Sequence, residues 1–202
     1  MHPITKVLLD EKSKMIIFLL LLLVIIAIII IAIYNGIISL KNNVARSWSD
    51  IIAYERQKIK LLPDLERISS KYLDHEKSLL ISVTSLRSAI AAVSPGSIDT
   101  KALSDIEQKT QSVLSGFKAV AEAYPNLQSA DVLRDLMAEM IELEENITAA
   151  VTIFNRNVAD FNTGIEVFPS SIINSLTTRL SPVPIFSDSS AEYNFEYKFN
   201  AQ

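Results

Sequence analysis

Nineteen consecutive residues without a polar side chain, Met15–Ile33, constrain this chain more than any other feature of its sequence. At about 1.5 Å per residue, a helix of this length spans roughly 28 Å, close to the hydrocarbon thickness of a bilayer. A secretory signal has a shorter apolar core and a small-x-small cleavage site, and the residues around Ile33 offer no such site. The run therefore predicts an uncleaved helix that crosses a membrane once, because no second run of this length follows.

Positive charge is unevenly distributed around this apolar run. Lys6, Lys12 and Lys14 precede it, and only Lys41 and Arg46 lie within about 20 residues after it. Because the side richer in lysine and arginine stays cytoplasmic, the amino terminus is predicted to lie inside and the following domain outside the cytoplasm.

The composition excludes several classes of function. The formal net charge of −4 argues against a nucleic acid partner, which needs clustered cations. The absence of cysteine excludes disulfides, zinc held by thiolates and lipidation at cysteine. The four glycines are too far apart to form a phosphate-binding loop.

Apolar residues recur every three or four positions after the anchor, a pattern typical of an amphipathic helix. The stripe consists of Ile37, Leu40, Val44, Trp48, Ile51, Ile52, Ile59, Leu61 and Leu62. No proline separates this stripe from the anchor, so the two are predicted to form one continuous helix. Pro63 leaves two alternatives: a new helix begins there, or one long helix kinks.

Three further helical segments follow in the sequence. Leu65–Val93 repeats at a spacing of 3.5 residues, the turn Ser94–Ser97 ends it, and a helix over about Ile98–Ala123 comes next. Leu133–Phe168 carries the most regular seam, which predicts knobs-into-holes packing. We therefore predict an all-α fold in which an N-terminal transmembrane helix runs into an elongated antiparallel bundle of about four long helices.

Four regions are predicted along the chain: an N-terminal flank (1–14), the transmembrane helix (15–33), the bundle (34–169) and a C-terminal tail (170–202). The tail contains aromatic residues that alternate with polar ones, a period-2 pattern. They are Tyr193, Phe195, Tyr197 and Phe199. The tail is predicted to be partly extended, and either to dock its aromatic side chains on the bundle or to add a strand to a partner's sheet.

Glu144 is the one acid on the otherwise apolar seam of the fourth helix. A buried carboxylate needs a partner or a raised pKa, and Arg87 is the partner we predict from the preceding segment. The alternative is that Glu144 lies at the rim of the bundle and is solvated.

Three more residues are candidates for a structural or partner-binding role. Asn155 and Asn162 are seven residues apart and so share one helix face, where asparagines fix register or bind a ligand or second protein. Trp48 widens the stripe of the first helix beyond what one seam needs. This excess predicts a homo-oligomer, unless Trp48 belongs to the core.

The sequence contains no catalytic motif that we recognise, and we predict no catalytic, cofactor or metal site. His75-Glu76 lacks the second histidine of a zinc protease helix. An enzyme built on Glu144 with Arg87 or His75 is the weaker alternative, since no nucleophile or second carboxylate is placed beside them by the pattern.

Several short motifs in order resemble the LemA family of bacterial membrane proteins, over nearly the whole chain from the anchor to Pro169. The most specific is AEAYPNLQSA at 121–130. The others are YN at 34–35, ARSWSDI at 45–51, LLPDL at 61–65, KYLDHE at 71–76, SLRSA at 85–89, EENI at 144–147, FNRNVADFN at 154–162 and FP at 168–169. The family usually has tyrosine where this chain has Phe154 and Phe161, so a role for those hydroxyl groups is not shared here.

This resemblance implies a single-pass protein of the bacterial cytoplasmic membrane with a helical domain and no established activity. It also implies links with envelope stress and with a membrane metalloprotease or a TPM-domain protein as possible partners. The function we predict is a non-enzymatic scaffold or adaptor that acts through protein–protein contact or self-association. The alternatives are a bundle that binds a ligand or lipid, and a regulatory subunit of a membrane protease.

Overall fold

The computed structural model describes residues 3–72, 77–123 and 130–187, and these residues form helices and connections without a strand. The helices are α1 (Pro3–Tyr72), α2 (Lys77–Ala92), α3 (Thr100–Ala123), α4 (Ala130–Glu166) and α5 (Ser170–Ile173), and a π-helical turn, Asn174–Thr178, follows α5. The predicted all-α class, with an apolar N-terminal helix that continues into a helical bundle, is confirmed.

Pro63 lies inside α1 and does not end it. A proline inside a helix removes one hydrogen bond and costs about 3 kcal/mol. Its ring is exposed, whereas Leu61, Leu62 and Leu65 around it are buried, so their packing offsets this cost. The predicted second helix accordingly begins at Lys77 instead of directly after Pro63. Residues 73–76, among them His75, lie outside the described residues.

The described residues divide into two compact units. The first contains 3–42 and 160–182, and the second contains 43–159 and 183–187. In the first unit, Gly164 of α4 packs against the side chain of Leu40 on α1. This unit also holds the apolar run, whose residues 15–32 are exposed. Within the described part of the chain, α1 is the one helix long and apolar enough to cross a membrane.

The second unit is a bundle whose core follows the predicted apolar seams. Every helix contributes residues that are less than a tenth exposed and recur at intervals of three or four. They include Trp48, Ile51, Ile52 and Leu62 of α1, Leu79, Val83, Leu86 and Ile90 of α2, Leu103, Ile106, Val113 and Phe117 of α3, and Met140, Ile147, Phe154 and Val158 of α4.

Short local hydrogen bonds form the turn between α2 and α3 in this bundle. The predicted turn at Ser94–Ser97 is present, with the amide of Ser97 donating to the carbonyl of Ser94 at 3.3 Å. Asp99 accepts a hydrogen bond from the amide of Ala102 at 2.9 Å, as an N-cap side chain does. This turn folds α3 back against α2.

Helix α4 runs antiparallel to α1 in the second unit, because rising numbers in α4 meet falling numbers in α1. Lys58 contacts Glu144, and Trp48 contacts Phe154. The side-chain amide of Asn157 donates to the carbonyl of Asn43 at 3.4 Å. These contacts place the charged residues of α1 opposite those of α4.

Candidate functional site

A lysine with no exposed surface, Lys58, lies at the centre of the second unit. Its ammonium nitrogen is 2.8 Å from Oε2 of Glu55, one turn earlier on α1, and 2.5 Å from Oε1 of Glu144 on α4. It also donates to Oγ1 of Thr110 on α3 at 3.1 Å. The ammonium group donates hydrogen bonds to Glu144 and Thr110 and forms a close ion pair with Glu55. One side chain therefore joins three helices.

Thr110 is itself fixed in the core. It is fully buried, and its hydroxyl donates to the carbonyl of Ile106 one turn earlier at 2.9 Å. With its proton used in this way, the hydroxyl oxygen is left to accept from Lys58. The threonine thus accepts a hydrogen bond from the ammonium group without adding a charge.

Glu55 titrates close to neutral pH. Burial raises the pKa of Glu55 from an ordinary value of 4.5 to about 7, although the adjacent Lys58 ammonium lowers it. The carboxylates of Glu144 and Glu107 raise it further. Glu55 therefore gains or loses a proton near pH 7. When Glu55 is neutral, the positive charge of Lys58 is opposed by the negative charge of Glu144.

A cavity of about 220 Å³ adjoins this group of charges. Its wall contains the carboxylates of Glu55, Glu107 and Glu144, together with apolar side chains such as Leu103 and Ile147. We use the term charge cluster for Glu55, Lys58, Glu107, Thr110 and Glu144. The cluster thus brings carboxyl groups, an ammonium group and a hydroxyl together at or beside the wall of the cavity.

The extended residues 183–187, here called the C-terminal strap, cover the cavity. Phe186 of the strap is only 8% exposed and lines the cavity. The side-chain amide of Asn155 holds the backbone of Phe186 by two hydrogen bonds. It donates to the Phe186 carbonyl at 2.8 Å, and its oxygen accepts from the Phe186 amide at 2.9 Å. Asn155 therefore binds a segment of its own chain.

The predicted pairing of Glu144 with Arg87 is wrong. Arg87 instead donates to Oε2 of Glu66 on α1 at 3.0 Å, and Glu144 pairs with Lys58. The physical reason is the register of the bundle. The antiparallel packing brings Lys58 to the level of Glu144, and a buried ammonium cannot be left without a carboxylate.

The other predicted residues occupy different places. Trp48 is fully buried, with its ring 5.6 Å from that of Phe154 and its indole nitrogen donating to the Ser94 carbonyl at 3.3 Å. Asn162 belongs to the first unit and is half-buried. Trp48 therefore belongs to the core and its stripe no longer argues for an oligomer, whereas a partner-binding role for Asn162 stays a prediction. The alternating aromatic residues of the tail, Tyr193, Phe195, Tyr197 and Phe199, lie outside the described part of the chain.

Sequence reasoning missed Lys58, Glu55 and Thr110, although a signal was present. The stripe of α1 continues from Ile51 in steps of four and three to positions 55 and 58 before it returns to Leu62, so two charged residues stand at core positions. Thr110 likewise interrupts the apolar series of α3. Opposite charges one turn apart on a buried face are the pattern that would have predicted this cluster. Within the described residues, no group of three or more potential metal ligands is arranged around a metal position.

A family model of known proteins matches a region of the chain that contains the charge cluster. The model of the LemA family matches residues 47–199, which begin after the apolar run and include the whole cluster and the C-terminal strap. A stretch of 77 residues is 29% identical to the magnetosome protein MamQ of Magnetospirillum gryphiswaldense. This stretch covers 38% of the chain and 28% of MamQ, so the likeness concerns a minor part of that relative.

Proposed function

Because the chain belongs to the LemA family, we propose that it is a membrane-anchored, non-enzymatic helical scaffold that holds partner proteins at the bilayer. The observation that carries this proposal is an open groove of about 400 Å³ between α1 and α4 in the second unit. A scaffold needs such a surface, whereas an enzyme needs reactive groups around a substrate.

The groove has the dimensions and lining that suit a helix of another protein. Along α1 it extends from Ser47 to Gln57, about 15 Å, which equals roughly three helical turns. Small side chains on both walls, Ala53 of α1 and Ala149 of α4, allow a close approach of backbones. Ile153 is 58% exposed at one end and offers an apolar anchor.

The charge cluster supports a structural role for the bundle. Lys58 is surrounded by groups of its own chain on α1, α3 and α4, and its two carboxylate partners are held at hydrogen-bonding distance. A buried ionic group of this kind fixes the register of helices, and a fixed register keeps the outer groove in one shape.

The partner we propose first is a protein helix presented at the membrane, and a second copy of this chain is the simplest source of one. A membrane metalloprotease or a TPM-domain protein is the heterologous partner to test. The two sources differ in the mass of the complex that they form.

Photo-crosslinking tests the groove directly. A benzoylphenylalanine residue at position 149 of the full-length chain, irradiated in cells, is expected to give one adduct of defined mass. Mass spectrometry identifies it as a dimer or as a complex with another membrane protein. Ile153→Glu in the same chain is expected to abolish the adduct, because it puts a charge where an apolar contact forms.

The same photo-reactive residue at position 81 serves as the control. Ile81 is 68% exposed on α2 and lies outside the groove. Equal adducts from positions 81 and 149, or an adduct at 149 that survives Ile153→Glu, would contradict the proposal.

A lipid-binding bundle is the second candidate, and a specific cavity favours it. About 560 Å³ lies between α3 and α4, lined by apolar side chains such as Phe117 and Met137, with Lys118 and Arg134 also present. This volume is within the range of small-molecule sites, and a cation beside an apolar space suits an anionic amphiphile.

Native mass spectrometry of the full chain released from membranes tests this candidate. A retained lipid that Ala121→Phe displaces would support it, since Ala121 lines the cavity. Ala138→Phe, at an exposed position on α4 away from that lining, is the matched control. Absence of any retained molecule would count against this candidate.

A further inference from the structure

The segment that follows α4 in the first unit has a defined fold. It comprises α5 and the π-helical turn, which ends where Arg179 adopts a left-handed conformation with φ 49°. The side-chain amide of Asn174 donates to the carbonyl of Leu180 at 3.0 Å and accepts from its amide at 2.9 Å. The hydroxyl of Thr178 donates to the same amide oxygen at 2.6 Å.

This segment exposes three large apolar side chains. Phe168, in the turn before α5, is 80% exposed, Ile172 of α5 is 50% exposed, and Leu176 of the π-helical turn is 73% exposed. Val167 beside them is 48% exposed. Ile173 is buried at 8%, so the segment also has an inner face that packs on its own unit. We call Phe168, Ile172 and Leu176 the apolar patch.

Burial along α1 shows at which level this segment lies. Residues 12–32 are exposed, Ile33 is half-buried, and Ile37 is only 2% exposed. In the same unit, Gly164 near the end of α4 packs against the side chain of Leu40, one turn after Ile37 on α1. The cover of α1 therefore begins at residues 33–37, where the apolar run ends.

The headgroup layer of a bilayer lies at this level. It adds about 6 Å on each side of the hydrocarbon, which equals roughly four residues of a helix. If Met15–Ile33 fills the hydrocarbon, residues 34–37 pass through the headgroups. Because α4 runs antiparallel to α1 and Gly164 lies against Leu40, the segment that follows Gly164 continues toward this layer.

The low charge of the segment suits contact with a lipid surface through apolar side chains. Between residues 166 and 180, Glu166 and Arg179 are the only charged residues, so the segment has no net charge. Contact with lipid would accordingly depend on apolar area and little on lipid charge.

We propose that the apolar patch inserts into the headgroup layer of the same membrane leaflet from which α1 emerges, so that the chain contacts the membrane at two places. The bilayer is the occupant to which we commit, because the patch is continuous with the membrane-spanning helix in one compact unit. The inference depends on insertion of Met15–Ile33 and does not depend on the groove between α1 and α4.

Spin labelling tests this inference in the full-length chain, which has no native cysteine. Ile172→Cys and Leu176→Cys are each labelled with a nitroxide in nanodiscs of phosphatidylethanolamine and phosphatidylglycerol. Collision rates with oxygen, which concentrates in lipid, and with a water-soluble nickel chelate are then compared. We expect an oxygen-to-nickel ratio several-fold above that of a label in water, because both positions lie at the acyl boundary.

Ile81→Cys and Val132→Cys are matched controls. Both positions are exposed apolar residues, at 68% and 49%, and both belong to the second unit. All four substitutions replace exposed side chains, so none removes a core contact. Ratios at 172 and 176 equal to those of the controls would overturn the proposal. Labels shielded from both reagents would overturn it too, because a protein would then cover the patch.

Discussion

The ammonium nitrogen of Lys58 lies 2.5 Å from Oε1 of Glu144, and this contact joins α1 to α4 across 86 residues of sequence. Lys58 has no exposed surface, while the side chain of Glu144 is 18% exposed at the edge of the cavity. Glu55, the second carboxylate, is 2% exposed. The ion pair thus extends from the buried interior of the bundle to the edge of the cavity. The free energy of the pair depends on this difference in exposure between its two ends.

Lys58→Met is expected to destabilise the bundle strongly. It leaves the carboxylates of Glu55 and Glu144 without their common partner, and breaking a buried pair in this way costs about 3–5 kcal/mol. Urea unfolding of the full chain in detergent measures the change in the free energy of unfolding. The emission of Trp48 reports it, because this only tryptophan is fully buried.

Arg67→Met is the control for that experiment. Arg67 pairs with Asp64 on the surface of α1, where both side chains are more than half exposed, so a loss below about 1 kcal/mol is expected. In the triple variant Lys58→Met, Glu55→Leu, Glu144→Leu, much of the stability should return, since Lys58 and both of its carboxylate partners are removed together. Equal effects of Lys58→Met and Arg67→Met would contradict a buried pair.

The stability of the bundle is expected to fall as the pH rises from about 4.5 to 7. In this range folded Glu55, with its pKa raised to about 7, keeps a proton that the unfolded chain has lost. The folded state binds more protons, so the free energy of unfolding decreases with pH, by at most about 3 kcal/mol. Lys58, Glu107 and Glu144 are the charged groups that act on this carboxyl.

Urea unfolding at a series of pH values measures this slope, and Glu55→Gln is the matched variant. Glutamine keeps the shape of the neutral acid and cannot ionise, so the decrease between pH 4.5 and 7 should be much smaller. A slope that is unchanged in Glu55→Gln would assign the titration to another group.

Asn155→Ala is expected to release the C-terminal strap. It removes both hydrogen bonds to the backbone of Phe186, which are together worth roughly 1–3 kcal/mol. Hydrogen exchange with mass spectrometry should show faster exchange of the peptide that contains Phe186. Asn146→Ala, at an exposed asparagine on the same helix, should leave this peptide protected. Exchange that is equal in both variants would show that burial of the phenyl ring alone holds the strap.

Ser97→Cys is expected to react with a membrane-impermeant maleimide in intact cells whose outer envelope, if present, has been opened. The charge distribution around the apolar run predicts that this turn lies outside the cytoplasm. Ser13→Cys, on the other side of the run, should react only after the membrane is permeabilised. The reverse pattern would put the bundle in the cytoplasm and redirect the search for partners.

Local pattern predicted much of the helical fold, including the continuity of α1 with the apolar run and the turn that begins α3. It left two alternatives open at Pro63, and the continuous helix is the one that forms, because a propensity of a few kcal/mol is smaller than the packing of three buried leucines around it. It also chose Arg87 as the partner of Glu144. Arg87 was a sensible candidate, but no local sequence pattern tells which cation a carboxylate will meet.

The sequence by itself determined the apolar run and the helical seams, because periodicity and hydropathy act between neighbours within a few turns of one chain. Only the tertiary structure decided that Lys58 meets Glu144, that Glu55 loses its water, and that Asn155 holds the backbone of Phe186. These outcomes depend on the register between helices distant in sequence. They depend equally on desolvation, which exists only once the helices have packed.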